Sequence, residues 1–117
     1  MTQPTLYGIP NCDSVRKARG WLETHQIDYQ FVDFKETPPT INQLSGWLNA
    51  VGAAQLVNRR STTYRQLSET DKNTLEAGDV TATLANHPTL IKRPVLVWQG
   101  DIAVGFSADD YAHRFNV

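Results

Sequence analysis

Two stretches with strand character flank a helical pattern at the start of this chain, and two more meet at a tight turn near its end. That arrangement constrains the fold more than any other feature, because everything between the two pairs reads as helix. Thr5-Leu6-Tyr7-Gly8 reads as a strand and Ile9-Pro10-Asn11 as a turn. From Asp13 to His25, Val15, Ala18 and Leu22 recur at helical spacing among Arg16, Lys17, Arg19 and Glu23. Asp28 to Phe34 then alternates apolar and polar residues, as a half-buried strand does. If its two strands run parallel, this strand–helix–strand is a right-handed crossover unit. At the far end Val95–Trp98 and Ile102–Gly105 flank Gln99-Gly100-Asp101, a hairpin signature. Ser107 with Asp110 fits the cap of a last helix carrying Tyr111, Ala112 and Phe115. The predicted class is α/β, with parallel and antiparallel pairs mixed in one four-stranded sheet.

The middle is helical. Glu36-Thr37-Pro38-Pro39 ends the strand pattern, and Thr40 with Gln43 fits a capping box. Ile41, Leu44, Leu48 and Val51 then define one apolar face before Gly52. Two or three shorter helices are expected between Thr63 and Asn86, one starting at Ser68-x-x-Asp71, with Pro88 as the stop. No repeat or linker interrupts the chain. Its 117 residues, 40% of them hydrophobic, suffice for one modest core. The expectation is a single domain over 1–117 with a helical insertion at about 37–88. Trp21, Trp47 and Trp98 read as packing residues.

Charge excludes several functions. Eleven Lys and Arg against twelve Asp and Glu leave a net charge of -1, with no general attraction for nucleic acid or an anionic membrane. No apolar run approaches the roughly 20 residues of a membrane helix, and Met1-Thr2-Gln3-Pro4 lacks the pattern of a secretory leader. A cytoplasmic protein with no nucleic-acid or membrane partner is expected. His25, His87 and His113 are not spaced as metal ligands, so no metal site is expected.

The chain has one cysteine, Cys12, so an internal disulfide, a Cys-x-x-Cys pair and a cysteine-built zinc site are all impossible. Any disulfide chemistry must take its second thiol from another molecule. Cys12 follows Asn11 between a predicted strand and a predicted helix. At a helix mouth, unpaired amide groups and the positive end of the helix dipole favour thiolate over thiol. The same amides can hold an oxyanion. Arg16, one turn on, is placed to add positive charge. The competing reading is a buried structural thiol, since free cysteines are among the most buried residues; the turn position favours the reactive one.

Two further clusters stand out. Asn58-Arg59-Arg60-Ser61-Thr62-Thr63-Tyr64 is either an anion-binding loop or a solvated one with two unpaired arginines. In Leu90-Ile91-Lys92-Arg93-Pro94, Pro94 precedes a buried-looking strand, where proline is tolerated at the first residue. A cis Arg93–Pro94 bond would aim Arg93 towards Cys12; the sequence leaves the isomer open.

Taken together, the run from Tyr7 to Ala18 with Cys12 at its centre, the late Leu90–Pro94 segment, Asp33–Thr40 and Leu56-Val57-Asn58 resemble the ArsC/Spx family over essentially the whole chain. The family comprises glutaredoxin-coupled arsenate reductases with regulatory and uncharacterised relatives. The resemblance implies a thioredoxin-like fold with a helical insertion, a nucleophilic Cys12, a cis Pro94 facing it, and anion-binding arginines. Arg93 matches cleanly; Arg60 is the better match in the middle cluster, with Arg59 the alternative. With Asn11 and Arg16 beside the thiol, these residues form the expected substrate-binding set. Gly8 and Gly105 stand where the arsenate reductases carry a histidine and a third arginine, and Val15 stands where they carry a serine. The resemblance is therefore to the short branch proposed to contain glutathione-dependent thiol reductases. It implies a monomeric enzyme with no resident cofactor, glutathione as co-substrate, glutaredoxin as a candidate partner, and a small oxyanion or thiol as substrate. The alternative is a regulator like the Spx proteins, which bind RNA polymerase without catalysis; Val15 removes the Cys-x-x-Cys switch those proteins use.

Overall fold

A computed structural model describes residues 3–117; Met1 and Thr2, part of the segment read for a leader, lie outside the described residues. The chain divides into two compact units. One comprises the chain up to Glu36 together with Arg93–Val117, and the other Thr37–Lys92.

The first unit is built on a four-stranded sheet. Its strands are β1 (Thr5–Gly8), β2 (Gln30–Asp33), β3 (Val95–Trp98) and β4 (Asp101–Val104), ordered β2-β1-β3-β4. β1 and β2 pair in parallel, with α1 (Asp13–Thr24) as the crossover, while β3 pairs antiparallel with both β1 and β4. This is the mixed sheet expected from the sequence. Leu6, Leu96 and Ala103 are aligned across three strands, so their side chains share one face. There they form a core with Ala18 and Leu22 of α1 and Tyr111 of α7 (Ala108–Phe115). Around it Trp21 packs edge-on against Tyr111, and Trp98 stacks on Phe115 at 4.4 Å.

The hairpin turn is shorter than expected. Trp98 pairs with Asp101, leaving Gln99 and Gly100 as a two-residue loop, both at positive φ (52° and 81°). That is the mirror-image turn whose twist matches paired strands. Gly105, expected as a strand end, lies beyond β4.

The second unit is helical. α2 (Ile41–Val51) starts with the expected capping box: Gln43 N–H donates to Thr40 Oγ1 at 3.1 Å, and Thr40 N–H donates to Gln43 Oε1 at 2.9 Å. Its inward face differs from the predicted one. Leu44 and Trp47 are buried, Leu48 and Val51 are half-buried, and Ile41 is 50% exposed. Ile41 is the first residue of the helix. A short helix α3 (Ala53–Leu56), not anticipated, follows Gly52 at φ +83°. Three more helices follow: α4 (Thr62–Gln66), α5 (Glu69–Glu76, capped by Ser68) and α6 (Val80–Asn86). Pro88 opens a single 3-10 turn, Pro88–Leu90. None of the described helices is long and apolar enough to cross a membrane.

Candidate functional site

The order of the sheet brings two of the sequence's separate clusters to one place. β1 ends at Gly8, and a short turn leads to Cys12. Tyr7 pairs with Val95, so the residue before Val95, Pro94, lies beside the C-terminal end of β1. The Arg93–Pro94 bond is cis, as the resemblance implied, and Gly105 N–H donates to Pro94 O at 2.9 Å. Cys12 and Arg93–Pro94 therefore occupy the same end of the sheet, although they are far apart in the chain.

Cys12 is the N-cap of α1. Its backbone is extended (φ -143°, ψ 128°), and its carbonyl accepts the first helical hydrogen bond, from Arg16 N–H, at 2.9 Å. Its side chain makes no capping hydrogen bond. Cys12 as a residue is half-buried, in contrast to the structural reading, which required it to be enclosed. The amides of the first turn thus share the end of the helix with a residue that is not closed off from solvent.

Arg16 behaves differently from expectation. Its Nη2 donates to Asp13 Oδ1 at 2.6 Å and its Nη1 to Asn11 Oδ1 at 3.2 Å. The guanidinium is held by a carboxylate and an amide on the surface, so its charge is matched by Asp13. The Arg16 hydrogen bond, and then its charge, hold the Asp13 carboxyl below the usual carboxylate value, with a smaller contribution from Lys17 against a small desolvation effect.

The middle cluster lies in the second unit and has its own geometry. Asn58 N–H donates to Leu90 O at 2.9 Å and Lys92 N–H to Leu56 O at 2.8 Å, around a bridge between Val57 and Ile91. These bonds zip residues 56–58 to residues 90–92. Asn58 then staples the following turn: Arg60 N–H donates to its Oδ1 at 3.1 Å, and Ser61 Oγ donates to its carbonyl at 2.7 Å. Arg59 is drawn to Glu76, with Nε and Nη2 each 3.3 Å from Oε1, so the reading of two unpaired arginines fails for it. Arg60 is exposed, and its guanidinium has no partner among the described residues. An open cleft of about 480 Å³ is lined by Ala54, Val57, Asn58, Arg59, Arg60 and Lys92. The cleft holds Arg60 without the ion pair that occupies Arg59. It also adds Lys92, which sequence reasoning missed although it stands next to Arg93.

Two of the departures from the arsenate reductase pattern have a steric counterpart. A Cβ on Gly8 would lie 2.7 Å from Val15 Cγ2, so the valine already fills the space a side chain at position 8 needs. Gly105 sits at φ +82°, a conformation in which an arginine would be strained. Among the histidines, His25 stacks on Trp21 and His87 Nε2 lies 3.2 Å from Asp71 Oδ2. Among the described residues no group of three or more His, Cys, Asp or Glu side chains is arranged to hold a metal ion.

The chain is similar to known proteins over most of its length. A model of the ArsC family matches residues 7–114. A protein of Haemophilus influenzae, described as uncharacterized, is 40% identical over 95% of this chain and 97% of its own length. The Global transcriptional regulator Spx of Lactiplantibacillus plantarum is 31% identical over 90% of this chain and 80% of its own. The solution structure of an ArsC-related protein from Brucella melitensis has a TM-score of 0.75 at 39% identity, covering 99% of this chain and 97% of that one. A glutaredoxin from Archaeoglobus fulgidus, at 8% identity and a TM-score of 0.51, covers 100% of this chain and 89% of its own and shares the thioredoxin-like fold alone.

Proposed function

Because the chain belongs to the ArsC family, we propose that it is a monothiol oxidoreductase in which Cys12 exchanges disulfides with glutathione. One observation carries the reading: Cys12, a half-buried residue, is the N-cap of α1 at the end of the sheet that also holds the cis Arg93–Pro94 bond. In the first step the Cys12 thiolate attacks the glutathione sulfur of a mixed disulfide. A new sulfur–sulfur bond forms on Cys12, the old one breaks, and the substrate leaves as a thiolate that takes a proton from solvent. A second glutathione thiolate then attacks the adduct, releases glutathione disulfide and restores Cys12. In sum, the mixed disulfide and one glutathione thiol become a substrate thiol and glutathione disulfide: the incoming glutathione sulfur is oxidised as the substrate sulfur is reduced, so a chain with a single cysteine needs no internal partner.

The amides of the first turn of α1 stabilise the thiolate and any oxyanion beside it. Arg93 supplies a guanidinium at the thiol's end of the sheet. Arg60, which the resemblance assigns to anion binding, sits with Lys92 in a cleft suited to carboxylates. Arsenate is a less suitable substrate, because Gly8 and Gly105 replace side chains that assist arsenate reductases. Each charge-assisted hydrogen bond lost is worth about 1.5–3 kcal/mol. The test is glutathione-dependent reduction of a small mixed disulfide. Cys12→Ser is expected to abolish turnover, and Arg60→Ala to raise KM severalfold with a smaller effect on kcat. Unchanged turnover in Cys12→Ser would reject the proposal.

The similarity to Spx regulators favours one second reading: binding to RNA polymerase without redox sensing. Co-purification with the polymerase α subunit, unaffected by Cys12→Ser, would support it over the enzyme.

A further inference from the structure

We infer that Gly8 and Val15 form a steric seat that positions Cys12, an inference that rests on Cys12 being the reacting group. Val15 is fully buried three residues beyond Cys12, in the first turn of α1, and Gly8 is the buried last residue of β1. The valine reaches into the space above the glycine: a Cβ at position 8 would meet Val15 Cγ2 at 2.7 Å, with Cγ1 at 3.6 Å. The separation to Cγ2 is shorter than real carbon contacts allow, so something must move if residue 8 acquires a side chain.

Neither partner has an easy way to yield. A β-branched side chain in a helix keeps essentially one χ1 rotamer, so Val15 cannot swing aside. Gly8 is fixed by the sheet, pairing with Asp33 in register and accepting a 2.8 Å hydrogen bond from Phe34 N–H. The freedom that remains is a lift of the first turn of α1. That turn begins at Cys12, whose carbonyl is tied to Arg16 N–H, so a lift carries the sulfur and the surrounding amides with it. A displacement approaching 1 Å at a reacting group can cost as much as about a hundredfold in rate. Gly8 and Val15 touch no reacting atom themselves; they are positioning residues. Their pairing also leaves position 8 without a side chain and position 15 with hydrocarbon, so neither offers a polar group to the thiol.

The experiment follows the second-order rate of Cys12 alkylation by iodoacetamide, which needs no glutathione, at a temperature where circular dichroism shows each variant folded. Gly8→Ala is expected to slow alkylation by about tenfold. Adding Val15→Ala removes the obstructing methyl groups and is expected to restore the rate to within about threefold of the parent. Adding Val15→Ile, which keeps both γ carbons and the locked rotamer, is expected to restore nothing. If Gly8→Ala does not fold but Gly8→Ala with Val15→Ala does, the same coupling is established through stability. A normal rate in folded Gly8→Ala, or failure of both combinations alike, would overturn the inference. If the parent alkylates readily and shows the coupling but never turns over glutathione, the seat stands and the enzymatic reading fails.

Discussion

Asp13 stands one residue beyond Cys12, in the part of the helix where a negative charge interacts most strongly with the positive end of the dipole. Its interest lies in the competition this sets up, since any anion held at the same helix mouth draws on the same positive field. Arg16 resolves the competition by pairing with the carboxylate at 2.6 Å. The expected signature is a direct one: Asp13 titrates below 3.8 in the folded protein, and Arg16→Ala returns it towards that value, as followed by carboxyl-carbon chemical shifts. A carboxyl whose folded value is depressed contributes stability above its unfolded value and loses it as pH falls through the folded one. Removing Arg16 therefore erodes stability near neutrality and in mild acid, while parent and variant converge at the acid extreme. The places of Cys12 at the start of α1 and of Arg93 just before β3 were legible from the sequence because turn residues and proline mark those boundaries; their roles belong to the proposal. The true partners of Arg16 were not legible. Helical spacing places Asp13 and Asn11 within its reach as well as Cys12, and rotamer choice decides among them.

Among the elements, α7 carries the most informative anomaly. Tyr111 is fully enclosed between α1, the sheet and the ring of Phe106, and its hydroxyl has no hydrogen-bond partner among the described residues. Burial, with a smaller contribution from Asp110, pushes its ionisation well above the ordinary tyrosine value, so it stays neutral at any working pH. An unsatisfied buried hydroxyl costs about 1–3 kcal/mol, which makes Tyr111→Phe an expected gain rather than a loss. Urea denaturation should place the midpoint of Tyr111→Phe at or above the parent; a clear drop would mean the hydroxyl has a partner in solution. Elements governed by local chemistry were readable: Thr40 with Gln43, Ser68 with Asp71, and the glycine-containing hairpin all formed where their residues indicated. The inward face of α2 and the existence of α3 were not. Leu44 and Trp47 are selected by what packs on them, and the four residues of α3 are too few to show a period.

At the scale of the molecule, the topology does what no single motif could. The mixed β2-β1-β3-β4 order carries a residue from the first turn of the chain and a proline from its last third to the same end of one sheet. The sequence held both halves of that juxtaposition but not the pairing of Tyr7 with Val95 that joins them. That pairing is a long-range choice made by the core of Leu6, Leu96 and Ala103. Cys12 is the only thiol in the chain, so the proposed chemistry requires a partner from solution, and this is the claim on which the account depends. Intact-protein mass spectrometry after incubation with glutathione disulfide measures it most directly. The account predicts a single glutathione adduct, localised to Cys12 by peptide mapping and discharged by added glutathione. A folded protein whose Cys12 stays unmodified, or an adduct that glutathione cannot discharge, would contradict it.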